Sequence, residues 1–223
     1  ADVIELGVPF SDPLADGPTI QRSSFEAISQ GVDLAWTLDL MRRFRAERET
    51  PVVLFTYLNP VLRYGVDEFI RSAIGVGADG VLLTDLPLGA DPELERTFEE
   101  SPLDFVRLIA PTSTPERARA IAAQSQGFVY YISRTGVTGA RDELPPGLAE
   151  QVRSLKEASD VPVVVGFGIS TPAQAAAVGA VAAGIAVGSA LVDALGRRGV
   201  DGAREFVAAL RGALGRGAPV ATS

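Results

Sequence analysis

The sequence contains no cysteine and no histidine, and these two absences exclude a large share of enzyme chemistry. Without cysteine there is no disulfide, no thiol nucleophile and no cysteine-ligated metal. Without histidine there is no Ser-His-Asp arrangement, no imidazole base and no histidine-bound zinc, so no metal site is expected. Proton transfers are left to Asp, Glu, Tyr, a hydroxyl or the lone Lys156. Long apolar runs are lacking too: none approaches the roughly 20 residues that span a bilayer. No charged segment followed by an apolar stretch opens the chain, so the reading is a cytoplasmic protein with no membrane association. Positive charge is scarce, with 20 Lys and Arg against 28 Asp and Glu, a net charge of −8. The basic residues are scattered rather than gathered in a stripe, which argues against a nucleic-acid partner.

What is present is a recurring unit. Short aliphatic or β-branched runs stand at "VIELGV" (3–8), "PVVLFTYL" (51–58), "GVLLTDL" (80–86), "DFVRLIA" (104–110), "GFVYYIS" (127–133), "VPVVVGFG" (161–168) and "AAGIAVG" (182–188). Helical patterning follows each, from "DLAWTLDLMRRFRAE" after the first to "VDGAREFVAAL" after the last. Nearly continuous apolar strands alternating with helices predict an α/β fold, a parallel sheet covered by helices. Thr114-Pro115-Glu116 and Thr171-Pro172 place a capping hydroxyl before a first-turn proline. No linker or charge block divides residues 1–223, so one domain is expected. Seven βα units and a chain that opens directly on a strand fit a (β/α)8 TIM barrel whose first βα unit is missing from this chain. An open doubly wound sheet tolerates any strand number and stays a competing reading of the same pattern.

Two glycine motifs end the last two strands: "GFGIS" (166–170), followed by a helix from Thr171, and "GSALV" (188–192). Backbone N–H groups of such turns, aimed by a helix N-terminus, hold a phosphate without Lys or Arg. With the missing unit counted first, these loops follow strands 7 and 8, the usual phosphate site of such barrels. The competing reading is that the glycines only permit tight turns. No Gly-x-Gly-x-x-Gly fingerprint stands in a dinucleotide-binding context, so no nicotinamide cofactor is implied. The segment "RTGVTGARDELPPG" (134–147) reads as a lid or as a plain surface loop.

Strand alternation puts Val3, Glu5 and Gly7 on one face and Ile4, Leu6 and Val8 on the other. The bulky set belongs against helices, so Glu5 points into the barrel, where desolvation raises its pKa towards neutrality. A structural glutamate paired with an arginine of a neighbouring strand is the alternative. Asp12 precedes Pro13 and Asp16 precedes Gly17-Pro18, so either aspartate can equally be a turn former.

The wording of these segments is more specific than their pattern. "ELGVPFSDPLADGPTIQ", "FTYLNPVLRYG" (55–65), "DGVLLTDLP" (79–87), "IAPTST" (109–114), "YYISRTGVTGAR" (130–141), "GFGIS" and "GSALV" together resemble the tryptophan synthase alpha subunit family, in order and over essentially the whole chain. The resemblance implies a lyase that cleaves indole-3-glycerol phosphate to indole and glyceraldehyde 3-phosphate by retro-aldol chemistry. It implies Glu5 as the proton-transferring carboxyl, Asp16 as the partner of the indole N–H, and Tyr130 beside the glutamate. Phosphate ligands fall on Gly139, Gly168, Gly188 and Ser189. The indole pocket falls on Phe55, Tyr57, Leu82, Thr84, Ile109 and Phe167, and the lid threonine on Thr138. Asp12, Asn59 and Pro60 resemble the face that docks a beta subunit in an α2β2 complex. No cofactor belongs to this subunit, pyridoxal phosphate being the partner's. A stand-alone lyase, or a non-catalytic phosphate-binding barrel, is the competing functional reading.

Overall fold

In the computed structural model, which describes residues 1–132, 146–166 and 168–215, the apolar runs become seven strands: β1 (Ile4–Gly7), β2 (Val52–Thr56), β3 (Gly80–Leu83), β4 (Asp104–Ile109), β5 (Val129–Ile132), β6 (Val163–Gly166) and β7 (Gly184–Ala186). They form one sheet in sequential order from β1 to β7, and every adjacent pair is parallel. This order decides between the two candidate folds. A doubly wound sheet reverses direction at a switch point, whereas a sheet that only advances is the wall of a (β/α)8 barrel. Among the described residues the outer edges of β1 and β7 carry no strand partner.

Nine helices are described: α1 (Pro18–Ser29), α2 (Leu34–Arg45), α3 (Leu58–Tyr64), α4 (Val66–Gly75), α5 (Pro92–Glu99), α6 (Pro115–Ala123), α7 (Leu148–Glu157), α8 (Pro172–Gly179) and α9 (Ser189–Ala213). The caps read from sequence form. Thr114 Oγ1 accepts from Arg117 N at 3.3 Å, and Thr171 makes a reciprocal capping box with Gln174. Three helices exceed the sequence reading: α1, ahead of the first helical run expected there, α3, and the first part of α9. The run 51–58 was read as one strand, yet β2 stops at Thr56 and α3 starts at Leu58, because Asp85 Oδ1, beyond β3, accepts the Leu58 N–H at 2.6 Å. The last helix begins at Ser189 rather than near Val200, interrupted at Gly199, where φ is +66°.

Strand alternation sorts the side chains into two layers. Ile4, Leu6, Val52, Leu54, Val81, Leu83 and Phe105 pack with Leu38 and Met41 of α2, Phe69 of α4 and Phe98 of α5. Ile109, Val129, Val163 and Val165 pack with Ile121 of α6, Val152 and Leu155 of α7 and Val178 of α8. The opposite face carries Val53, Leu82, Val106 and Phe128, with Phe55, Leu108, Tyr130 and Val164 against them, and no helix. This helix-free face is the inside of the barrel. At the seam α1 meets α9 through Arg22–Asp193 at 3.3 Å, and Arg211 of α9 reaches Asp2 at 2.5 Å.

One charged cluster lies in the outer layer. Arg107 of β4 is 3% exposed and donates to Glu95 at 2.9 Å and to Glu99 at 2.5 Å. Its guanidinium carbon lies 4.2 Å from the centre of the Phe105 ring. Glu95 in turn accepts the N–H groups of Gly89 and Asp91, at 2.8 and 3.3 Å. The cluster fastens α5 and the loop before it to β4.

Candidate active site

Glu5 is in register with Val53, a residue of the helix-free face, so the carboxyl points into the barrel. Among the described residues it makes no ion pair; the neighbouring strand β2 carries no arginine, and Arg107, three strands away on β4, is committed to Glu95 and Glu99 on the other side of the wall. The structural-pairing alternative for Glu5 therefore finds no partner here. Burial alone raises its pKa from 4.5 to about 7. Tyr130 occupies the same face on β5, edge-on to Phe55 with ring centres 6.2 Å apart. Burial first, and the charge of Glu5 second, push its phenol above the ordinary range. It stays a neutral hydroxyl beside the carboxyl.

The loop after β1 brings Asp16 to the carboxyl end of the strands, where barrel active sites lie. Its main-chain oxygen accepts from Gln21 Nε2 at 2.9 Å, and its N–H donates to the Pro13 carbonyl at 3.0 Å. Burial raises the Asp16 pKa, and the nearby Tyr57 hydroxyl opposes the rise.

The remaining expected residues divide. Phe55 and Leu82 line the helix-free face with Tyr130. Thr84 follows β3 and ties its N–H and hydroxyl to the Thr56 carbonyl, at 3.0 and 3.3 Å. It borders a cavity of about 130 Å³ together with Leu108 and Arg107. Tyr57 is 5% exposed and spends its hydroxyl on the Asp16 loop. Ile109, expected in the pocket wall, instead packs in the helix-facing layer against Ile121 and its neighbours. The period of two along β4 gives the inner positions to Val106 and Leu108, which the sequence reading did not select. Phe167, Thr138 and Gly139 lie outside the described residues.

Gly168 has φ +75°, a conformation that other residues rarely adopt. Gly188 is the N-cap of α9 and carries no side-chain cap, so among the described residues the N–H groups of Ser189 and Ala190 at the start of that helix meet no hydrogen-bond acceptor. Both stations sit after β6 and β7, a geometry suited to an anion. Asp12, Asn59 and Pro60 fall in the loop after β1 and in α3 after β2, neighbouring exits on the same end of the sheet, with Asp12 and Asn59 exposed.

Gly166, the last residue of β6 and the first of the "GFGIS" motif, has a second role. A Cβ there would come within 2.5 Å of the Tyr130 hydroxyl and 2.7 Å of its ring. Gly166→Ala should therefore displace Tyr130 and destabilise the protein by about 1–3 kcal/mol. Thermal unfolding of the variant tests this; an unchanged midpoint would mean that the ring is not held against β6.

The family model described as "Tryptophan synthase alpha chain" matches residues 1–214. The chain is 49% identical over 219 residues to the tryptophan synthase alpha chain of Geobacter sulfurreducens, covering 96% of this chain and 83% of the relative. It is 47% identical to that of Acidiphilium cryptum, over 87% and 71% of the two chains. Among solved structures it superposes on Mycobacterium tuberculosis tryptophan synthase with a TM-score of 0.87 at 42% identity, covering 97% of this chain and 82% of that one. On the alpha subunit from Legionella pneumophila the TM-score is 0.85 at 36% identity, over 96% and 82% of the chains.

Proposed function

This chain belongs to the tryptophan synthase alpha chain family, and from that premise we propose how its own residues carry out the family's lyase reaction, the cleavage of indole-3-glycerol phosphate to indole and glyceraldehyde 3-phosphate in tryptophan biosynthesis. Glu5 delivers its proton to C3 of the indole ring. The ring becomes an electron-poor cation, and the bond from C3 to the glycerol carbon breaks with its electron pair returning to the ring. The hydroxyl on that carbon becomes the aldehyde oxygen, and its proton goes back to the Glu5 carboxylate. One carboxyl thus both gives and takes a proton, and the turnover needs no external acid. Asp16 accepts the indole N–H, whose positive character grows as C3 is protonated. Tyr130, Phe55 and Leu82 form the apolar wall that keeps Glu5 desolvated. Gly168, Gly188 and Ser189, with the free N–H groups of α9, hold the phosphate, and Gly139 and Thr138 join them from the segment proposed as a lid.

The observation that carries the mechanism is Glu5 itself: inside the barrel, without an ion-pair partner among the described residues, its pKa raised by burial to about 7. A proton shuttle works best when its pKa is near the working pH. Because the reaction starts from the protonated form, kcat/KM is expected to fall by about tenfold per pH unit on the alkaline side, with a midpoint near 7. A pH profile of indole release measures this. A rate constant that stays flat to about pH 9 would assign the proton to another group.

The family's alpha chain works in a tryptophan synthase complex with a beta subunit. We propose an α2β2 assembly in the cytoplasm, docked through Asp12, Asn59 and Pro60. Leu14, in the same loop as Asp12 and 94% exposed, supports this placement, since an apolar side chain so exposed beside the docking residues gains from being covered. No helix among the described residues is long and apolar enough to cross a membrane.

A further inference from the structure

We propose that Tyr57 is a positioning residue for Asp16: its hydroxyl holds the N–H of Ala15, the residue before the aspartate, so that the loop carrying Asp16 is placed from the end of the neighbouring strand. The inference rests on the reading of Asp16 as the group that meets the indole N–H.

The loop needs such a clamp. Between Ser11 and Gly17 only Pro13 is buried, so packing does not fix the loop, and Leu14 is almost wholly in solvent. Polar contacts hold it instead. Gln21 secures the Asp16 carbonyl at 2.9 Å, which holds the loop on the far side of the aspartate only. Tyr57 supplies the missing constraint. Its hydroxyl accepts from the N–H of Ala15, the residue immediately before Asp16, at 3.0 Å, and the phenol and the aspartate carboxyl influence each other's titration. Burial, above all, pushes the phenol up to about 12, so the hydrogen is present throughout the working range.

The clamp is itself anchored. Its ring is buried against Phe10, with centres 5.2 Å apart. Its backbone is the N-cap of α3, whose first N–H, that of Leu58, donates to Asp85 Oδ1 at 2.6 Å. The tyrosine thus sits between the end of β2 and the start of α3, a helix start that Asp85 beyond β3 secures. An error of about 1 Å in the placement of a catalytic group can lower a rate by about 10²-fold.

Tyr57→Phe keeps the ring and its packing and removes only the hydroxyl. Its kcat for indole-3-glycerol phosphate cleavage should fall by about ten- to hundredfold, while KM stays within about twofold, because the phosphate and the apolar wall still bind the substrate. A wall residue would raise KM instead. In an Asp16→Asn background the same change should have almost no further effect on residual cleavage, since coupled residues are non-additive. A Tyr57→Phe enzyme with kcat within about twofold of the parent, or a loss of equal size in both backgrounds, would overturn the clamp. If Asp16→Asn retains full activity, the reading of Asp16 falls with it; if Asp16→Asn is inactive and Tyr57→Phe is normal, only the clamp falls. Where residual cleavage is too small to measure, the split between kcat and KM decides.

Discussion

Glu5→Gln should lower kcat for indole-3-glycerol phosphate cleavage by about 10³-fold and at the same time make the folded protein more stable above neutral pH. The first effect follows because glutamine has the shape of the acid but no proton to give and no basic oxygen to receive one. The second follows from linkage. Glu5 has a pKa of 4.5 when exposed and about 7 in the folded chain, so between these values the unfolded chain releases a proton that the folded chain retains. As pH rises through that window the wild-type protein loses stability, and above 7 the whole penalty of a buried carboxylate is present. At about 1.4 kcal/mol per unit, the gap between variant and wild type should widen by up to about 3 kcal/mol from below pH 4.5 to above pH 7. Denaturant unfolding at the two ends of the range measures it. A variant that cleaves substrate normally would remove Glu5 from the mechanism. An unchanged gap would mean that the carboxyl is solvated. The trade of stability for function is common at active sites.

The second large effect lies in the outer layer, away from the chemistry. Arg107→Ala should cost about 3–5 kcal/mol of stability, a fall in Tm on the order of 10 °C for a chain of this size. Its removal strands the Glu95 carboxylate, 4% exposed, with only the Gly89 and Asp91 N–H groups as partners. It also removes the cation from the Phe105 ring. Glu99→Ala is the comparison: its side chain is 32% exposed, the stranded charge is absent, and the loss should stay within about 1 kcal/mol. Equal losses in the two variants would contradict the account, because burial of the stranded partner, rather than the number of ion pairs, sets the size of the effect.

The architecture was legible because parallel strands buried on both faces must read as apolar runs, and all seven appear at the expected places. What decided between barrel and open sheet was strand order, which no run of residues encodes locally. The start of α3 was hidden for a related reason: the carboxylate that caps Leu58 belongs to Asp85, 27 residues away. Glu5 was legible as an inward acid because alternation in "VIELGV" leaves it facing away from the bulky residues. Ile109 was placed in the pocket by resemblance against the alternation of its own strand, which gives the inner position to Leu108. The role of Tyr57 was not legible, since a buried tyrosine next to a strand end looks like pocket wall until its hydroxyl is seen to bond a loop on another strand. Arg107 was likewise silent, because an arginine within an apolar strand declares its function only when the two glutamates of α5 are seen beside it.

The central claim is that one carboxyl inside the barrel holds its proton near neutral pH. Carbon-13 NMR titration of the labelled glutamate side chains, with Glu5→Gln to assign the signal, measures it directly. The account predicts one carboxyl resonance, missing in the variant, that titrates with a midpoint near 7. If the Glu5 signal instead titrates near 4.5, the ordinary value of its carboxyl, the buried proton shuttle described here does not exist.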